Sequence, residues 1–325
     1  MPPQGPGSLA VTARERGSFV GLHLPGKPGG RRLVGKTPLL VALATAVVLL
    51  GGCSSETKDE WRRAAMPDPA SAQGEHNLAL WQGAWIAAMV TGIIVWGLIF
   101  WSLWRYRRRS ESDIPIQTRY NLPIEIFYTI APVLMVIVFF THTVRTQDAM
   151  LNEGKVDNTI EVVGQQWQWT FNYGIGTRDG SADDDPADDN YPYSSYVYEG
   201  GTAQYIPTLV LPVGETTRFN LHSPDVIHDF GVPSFLMKMD VVPGRVNHYA
   251  ITPTREGTFK GKCYELCGVS HSRMLFNVKV VSVSDYQSYL QDLQSKGRES
   301  DKPLIGGTEA HTQDGLATQT GGENQ

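Results

Sequence analysis

The spacing of apolar positions divides the chain. Residues 1–37 show no repeat: Gly, Pro and Arg dominate, which predicts a disordered leader. An apolar run follows at 38–50, too short to span a bilayer. Residues 53–77 return to mixed polar character and predict a tether. From 78 to 104 no formal charge occurs in 27 residues, and a second apolar stretch at 126–144 contains Pro132 and ends at Arg145. Each is long enough to cross a bilayer, so 78–145 is predicted to be a transmembrane helical hairpin. Beyond 155 the period shortens to two. Runs at 159–173, 216–221, 246–251 and 276–281 are rich in β-branched and aromatic residues, and Phe276-Asn-Val-Lys-Val280 alternates cleanly. Pro212-Val-Gly214, Pro243-Gly244 and residues 253–257 supply turns between them. Short strands over 146–295 predict an all-β Greek-key sandwich or small barrel, with a long insertion at 174–207. Ser284 is expected to cap a short helix at 285–293, and 296–325 reads as a disordered tail. The fold class expected is membrane-anchored α+β, a two-helix hairpin followed by an all-β domain.

Charged and aromatic flanks orient this plan. Arg31, Arg32 and Lys36 precede the 38–50 run, which ends in Leu50-Gly51-Gly52-Cys53. A basic region, a short apolar region and small residues at a cleavage point describe a secretory signal over 1–52. The Cys at the junction matches a bacterial lipoprotein box, so cleavage would leave 325 − 52 = 273 residues with lipid on Cys53. Trp81 and Trp85 at one end of the first span, and Trp101 and Trp104 at the other, sit where interfacial belts belong. Arg105, Arg107, Arg108 and Arg109 mark that second end as cytoplasmic. The hairpin therefore places everything after about residue 146 outside the cell membrane.

Composition adds mainly exclusions. A net charge of −5 and three cysteines in 325 residues give no sign of nucleic-acid binding or of a disulfide scaffold. The absence of C-x-x-C-H excludes an attached haem c domain. Six aspartates, Asp179, Asp183, Asp184, Asp185, Asp188 and Asp189, followed by Tyr191, Tyr193, Tyr196 and Tyr198, make the insertion either a solvated loop or an acidic docking surface for a basic partner.

The chemistry is concentrated in Lys262-Cys-Tyr-Glu-Leu-Cys-Gly-Val-Ser-His-Ser-Arg-Met274. Cys263 and Cys267 offer two thiolates, His271 an imidazole and Met274 a thioether. The cysteines alone fit a disulfide outside the cytoplasm, and Cys with His fits zinc. Thioether beside thiolate and imidazole favours copper, and two thiolates can bridge two ions, so a dinuclear copper centre is expected. His228, in Asp225-Val-Ile-His228, supplies the second imidazole.

With these residues the chain resembles subunit II of cytochrome c oxidase, whose CuA signature is C-x3-C-x3-H-x2-M with an upstream D-V-x-H. The resemblance, over roughly 78–295 outside the insertion, implies a cupredoxin fold whose ligands come from two loops at one end. It implies that Glu265 ligates copper through its carbonyl and that its side chain reaches a magnesium ion shared with subunit I. It makes Trp167, in Gly164-Gln-Gln-Trp-Gln-Trp169, the residue through which electrons arrive from cytochrome c; ordinary strand packing of the indole is the other reading, and Gln168 replaces the family's usual tyrosine. Glu125, seven residues before Pro132, becomes the entrance of a proton channel, or simply a helix-end charge. The partners implied are subunits I and III, with haem a and CuB in subunit I. The signal, the insertion and the missing haem domain are similar to actinobacterial oxidases, in which the dihaem cytochrome c of a bc complex donates electrons. A copper carrier, or a relative serving a quinol oxidase, would need neither this full ligand set nor, for the carrier, two spans.

Overall fold

The computed structural model describes residues 55–110, 112, 114, 116–176, 191–202 and 204–306. The leader, the signal, Cys53 and the aspartates of the insertion lie outside the described residues.

Among the described residues, three helices precede the sheets: α1 (Ser55–Arg62), α2 (Ala72–Arg105) and α3 (Leu122–Leu151). The last two are apolar enough to cross a membrane, and their apolar windows are wholly unburied by the rest of the chain. Apolar surface of this length and extent fits a membrane span. Trp81 packs edge-on against Trp85, and Trp101 lies tilted against Trp104. The two pairs stand roughly 24–35 Å apart along the axis, bracketing a hydrocarbon core of about 30 Å. Helix α2 begins at Ala72 rather than at residue 78, because Ser71, in extended backbone, caps it by accepting from Gly74 N. That polar first turn is bonded to the β domain, which is why hydropathy assigned it to the tether. Ser71 Oγ donates to Phe235 O at 3.0 Å, Asn77 Nδ2 to Leu236 O at 2.9 Å, and Thr252 N to Gln73 Oε1 at 2.9 Å. At Gly74 a Cβ would lie 2.8 Å from Phe235 O, so only glycine permits this approach. Asn121 caps α3, and Pro132 lies inside it, as membrane helices tolerate.

Eleven strands follow among the described residues: β1 (Asn158–Gln165), β2 (Gln168–Ile175), β3 (Ser195–Gly200), β4 (Thr208–Pro212), β5 (Thr217–His222), β6 (His228–Val232), β7 (Met237–Val241), β8 (Asn247–Ile251), β9 (Gly257–Cys263), β10 (Leu275–Val281) and, after helix α4 (Val283–Ser295), β11 (Glu299–Ser300). They form two sheets, ordered β11-β3-β2-β1-β5-β8 and β4-β10-β9-β6-β7. Pairing is antiparallel except for β1 with β5 and β10 with β4. Among the described residues this is the expected two-helix hairpin with a two-sheet, cupredoxin-like β domain.

Four local expectations are corrected. The run 159–173 is a hairpin, closed by Gln165 opposite Gln168, with Gln166 and Trp167 at its tip. Both strands are buried on both faces, so no alternation betrayed the break. The insertion is not wholly loop: β3 pairs with β2, and Tyr196 is fully buried, with Tyr191 and Tyr193 packed on its ring. Ser282, not Ser284, caps α4, accepting from Asp285 N at 3.1 Å while Ser284 bonds only its hydroxyl. The tail also begins in the sheet, since β11 pairs with β3.

The core between the sheets is aromatic. Phe230 stacks on Phe276 at 4.8 Å, and Trp169, Phe171, Phe219 and Tyr249 meet this pair edge-on or tilted. Strand β9 shows the alternation that builds it: Phe259, Gly261 and Cys263 face in while Lys260 and Lys262 face out. That phase aims the Cys263 side chain at the core's upper rim.

Candidate metal centre

Two chain segments meet above the core. One is the start of β6, carrying His228; the other is the connection from β9 to β10, opening with Cys263 and closing with Met274. Cys263 N donates to Met274 O at 3.0 Å, so the ten residues between form a closed loop. Inside it, His271–Arg273 make a single 3-10 turn that returns His271 towards the cysteines. Gly268 has φ +124, and a Cβ there would lie 2.9 Å from the Trp167 ring, so the loop needs glycine twice over.

The donor atoms converge. Cys263 Sγ lies 3.8 Å from Cys267 Sγ, 3.9 Å from His228 Nδ1 and 3.2 Å from Glu265 O. Cys267 Sγ lies 3.5 Å from His271 Nδ1 and 3.8 Å from Met274 Sδ. The donor atoms of His228, Cys263 and Cys267 all fall within 4.8 Å of one another. A disulfide would hold the sulfurs at about 2.05 Å; both cysteines are free. His228, Cys263, Cys267 and Met274 are at most 4 % exposed, so this is a dry set of soft donors rather than surface thiols.

Its protonation fits a cation. Burial pushes the Cys263 thiol up, but the His228 contact and bonds from the backbone outweigh it and hold the group below the usual thiol range. Burial, and then the Cys263 sulfur beside it, push Cys267 up to about 12. The second thiol gives up its proton readily only when positive charge enters between the sulfurs. For His228, burial opposes the imidazolium, yet the Asp225 and Cys263 partners together raise it. Two thiolates, two imidazoles, a thioether and a carbonyl match copper by softness, and the thioether argues against structural zinc.

Outer contacts lock the set. Asp225 accepts from Gln166 N at 2.7 Å and Val226 N at 2.6 Å, and meets His228 Nε2 at 2.9 Å. This leaves Nδ1 facing Cys263 and fixes the ring. Trp167 Nε1 and Gln166 Nε2 both donate to Cys267 O, at 3.1 and 2.7 Å. Trp167 therefore hangs on the backbone of a donor residue through one hydrogen bond. Gln168 starts β2 and is buried, so it is not displayed beside Trp167. Trp169 is fully buried beneath the site and donates from Nε1 to Met274 O at 3.4 Å.

The structure thus brings together His228, Cys263, Cys267, His271, Met274, the Glu265 carbonyl and Trp167. The Glu265 side chain is exposed. Glu125 stands apart, at the opposite end of α3 from the β domain, where its carboxylate accepts from Asn121 N at 2.9 Å as part of the helix cap. The sequence reading assigned no role to Asp225 or Trp169. A carboxylate three residues before a ligand histidine was the available signal for the first; nothing in the spacing marked the second. Asp225→Asn keeps the shape but replaces the carboxylate on His228, so metal affinity should fall about tenfold or more. Competition with a chelator measures it, and unchanged affinity would remove Asp225 from the site.

Known proteins match this chain over both its helical and its β segments. Residues 158–281 match the family model described as cytochrome c oxidase subunit II, periplasmic domain, and residues 59–144 match its transmembrane domain. The chain is 46% identical over 296 residues to the probable cytochrome c oxidase subunit 2 of Streptomyces avermitilis, covering 84% of this chain and 90% of that one. It is 35% identical over 338 residues to cytochrome c oxidase subunit 2 of Mycobacterium tuberculosis, covering 90% and 89%. The solved periplasmic domain of cytochrome oxidase subunit II from Bradyrhizobium japonicum aligns with 44% of this chain and 97% of its own at 27% identity, with a TM-score of 0.37.

Proposed function

Because the chain belongs to the cytochrome c oxidase subunit II family, we propose that it is the electron-accepting subunit of a respiratory oxidase, with His228, Cys263, Cys267, His271, Met274 and the carbonyl of Glu265 holding a dinuclear CuA centre. The observation that carries this reading is the convergence of those donors within about 4 Å contacts at one buried end of the β domain. A copper pair held by these donors would supply a one-electron store.

The chain's own residues do the rest. Cys263 and Cys267 would hold the ions through their thiolates, His228 and His271 through their imidazoles, and Met274 would be the weak donor that tunes potential. The aromatic floor of Trp169, Phe230 and Phe276 excludes water and keeps the donors rigid. Trp167 is where electrons arrive from cytochrome c, or from the dihaem cytochrome c of a bc complex, and its bond to Cys267 O gives a short covalent and hydrogen-bonded route inward. Subunit I would hold haem a and CuB, supplying the reduction of oxygen to water and its coupling to proton translocation. The exposed carboxylate of Glu265 is the group for a magnesium ion shared with subunit I. Subunit III completes the assembly, and Cys53 carries the lipid anchor.

The direct test is the EPR spectrum of the purified, copper-loaded oxidase. Hyperfine splitting from two equivalent coppers is expected in the oxidised state; a single-copper pattern would reject the dinuclear centre.

Glu125 is proposed to admit protons at the cytoplasmic face, breaking and remaking its cap to Asn121. Glu125→Gln removes the titratable group but keeps the capping oxygen. Steady-state turnover should therefore fall about tenfold or more while reduction of the copper centre stays normal. Unchanged turnover would leave Glu125 as a capping residue only.

A further inference from the structure

After β11 the chain does not leave the domain. Tyr198 N donates to Arg298 O at 3.1 Å, and Glu299 and Ser300 pair with Val197 and Tyr196 at the sheet edge. The backbone then turns across the outer face. Pro303 is buried. Leu304 N donates to Asn172 Oδ1 at 2.9 Å, and Asn172 Nδ2 returns a bond to Leu304 O at 3.2 Å while also reaching Glu161 O at 3.1 Å. Asn172 is fully buried, so this side-chain amide is spent on holding the chain end to β2 and β1. Gly306, with φ +95, then lies so close to three residues that a Cβ would be 2.8 Å from Pro224, 3.0 Å from Gln165 Oε1 and 3.1 Å from Val163. Six residues extended reach roughly 20 Å, the width of four strands, which is the crossing from β11 to the loop after β5.

The face crossed is polar and closed. Glu161, Asn172, Asn220 and His222 point to it by register. Glu161 meets His222 Nε2 at 2.6 Å and accepts from Asn220 Nδ2 at 2.8 Å. A buried carboxylate with its partners met is tolerated, and a partner lost to water or movement is costly, so this layer resists displacement of what lies on it. The crossing ends at a telling place. Gln165 immediately precedes Gln166 and Trp167, and Pro224 immediately precedes Asp225. These are the two arms joined by the bond from Gln166 N to Asp225, the contact that seats Trp167 on Cys267 O.

We propose that residues 299–306 are a positioning strap: Asn172 anchors it, and Gly306 braces the Trp167 turn and the Asp225 loop against each other at the copper end. Asn172 and Gly306 touch neither metal nor donor; they act through Trp167 and Asp225. The kinetic arm below rests on the reading of Trp167 as the place where electrons arrive, and the exchange arm does not.

The test compares three forms of the subunit within the copper-loaded oxidase: a chain ending at Gly306, a chain ending at Ser300, and full-length Gly306→Val. Hydrogen exchange is followed in peptides spanning 165–168 and 223–228, which contain the Gln166 and Val226 amides bonded to Asp225. The chain ending at Gly306 should match the full chain. The chain ending at Ser300, and Gly306→Val, should exchange these amides at least about tenfold faster. They should also be reduced several-fold more slowly by soluble cytochrome c, yet normally by hexaammineruthenium(II), with the dinuclear EPR signal kept. Unchanged exchange in both altered chains overturns the strap, as does an equal rise in the chain ending at Gly306. If truncation prevents assembly, Gly306→Val carries the decision. Trp167→Leu is run beside them: if it leaves cytochrome c reduction unaltered, the role of Trp167 fails while the exchange result still decides the strap.

Discussion

Cys263→Ser should abolish the two-copper EPR signal and lower oxidase turnover by more than about a hundredfold, since losing even an outer partner costs metal sites about 10–100-fold. Cys263 is the hub of the donor set, with Cys267, His228 and Glu265 O all in contact with its one sulfur. A serine hydroxyl is a hard donor that stays protonated at neutral pH, so it can neither bridge nor match copper's softness. The fold should survive the change. The backbone bond from residue 263 to Met274 O and the pairing with Phe230 do not involve the side chain, and serine is slightly smaller than cysteine. Loss of signal with retained assembly therefore isolates the chemistry. Met274→Leu is the useful contrast: the two-copper signal should persist with a shifted potential, because the thioether is a weak donor. A Cys263→Ser subunit that keeps the dinuclear spectrum would sink the ligand assignment.

How much of this was readable from the chain depends on what each residue must do alone. The two spans were readable because lipid demands long uncharged runs, and the donor set because few chemistries place Cys, Cys, His and Met within twelve residues. The edges were harder. Helix α2 starts early because Ser71, Gln73 and Asn77 find partners in the loops around Phe235 and Thr252, contacts more than 150 residues away that no local pattern encodes. Strand β3 hid among tyrosines that looked like surface, since Tyr196 is buried only once the chain end and its neighbours close over it. The turn at Gln166 and Trp167 lacked Gly or Pro at its tip and sat between strands buried on both faces. Asp225 and Trp169 belong to the site only through tertiary contacts, so their types alone read as loop and core.

Trp169→Ala should be the most damaging change outside the ligands themselves. The indole is fully buried and meets Phe230 at 5.3 Å, Phe276 at 5.5 Å and the His228 ring at 6.2 Å, all edge-on. Its Nε1 bonds Met274 O, so one side chain supports a donor on each of the two converging segments. Removing a buried tryptophan costs about 3–5 kcal/mol, a large share of the 5–15 kcal/mol that holds a typical domain. For a β domain of this size the melting temperature should fall by roughly 6–20 °C. The cavity left behind lies directly under His228 and Met274, so copper retention should fall with stability, seen as faster loss to a chelator. Collapse cannot easily fill it: Gly164, whose Cβ would lie 2.9 Å from the Trp169 ring, has no side chain to move inward. Trp169→Phe separates the two effects. It refills most of the volume and loses the bond to Met274 O, so it should recover most of the melting temperature while still shifting the copper potential. If Trp169→Ala melts within about 3 °C of the native subunit and keeps its dinuclear spectrum, the aromatic floor is not what holds the centre, and the closed loop from Cys263 to Met274 must be rigid by itself.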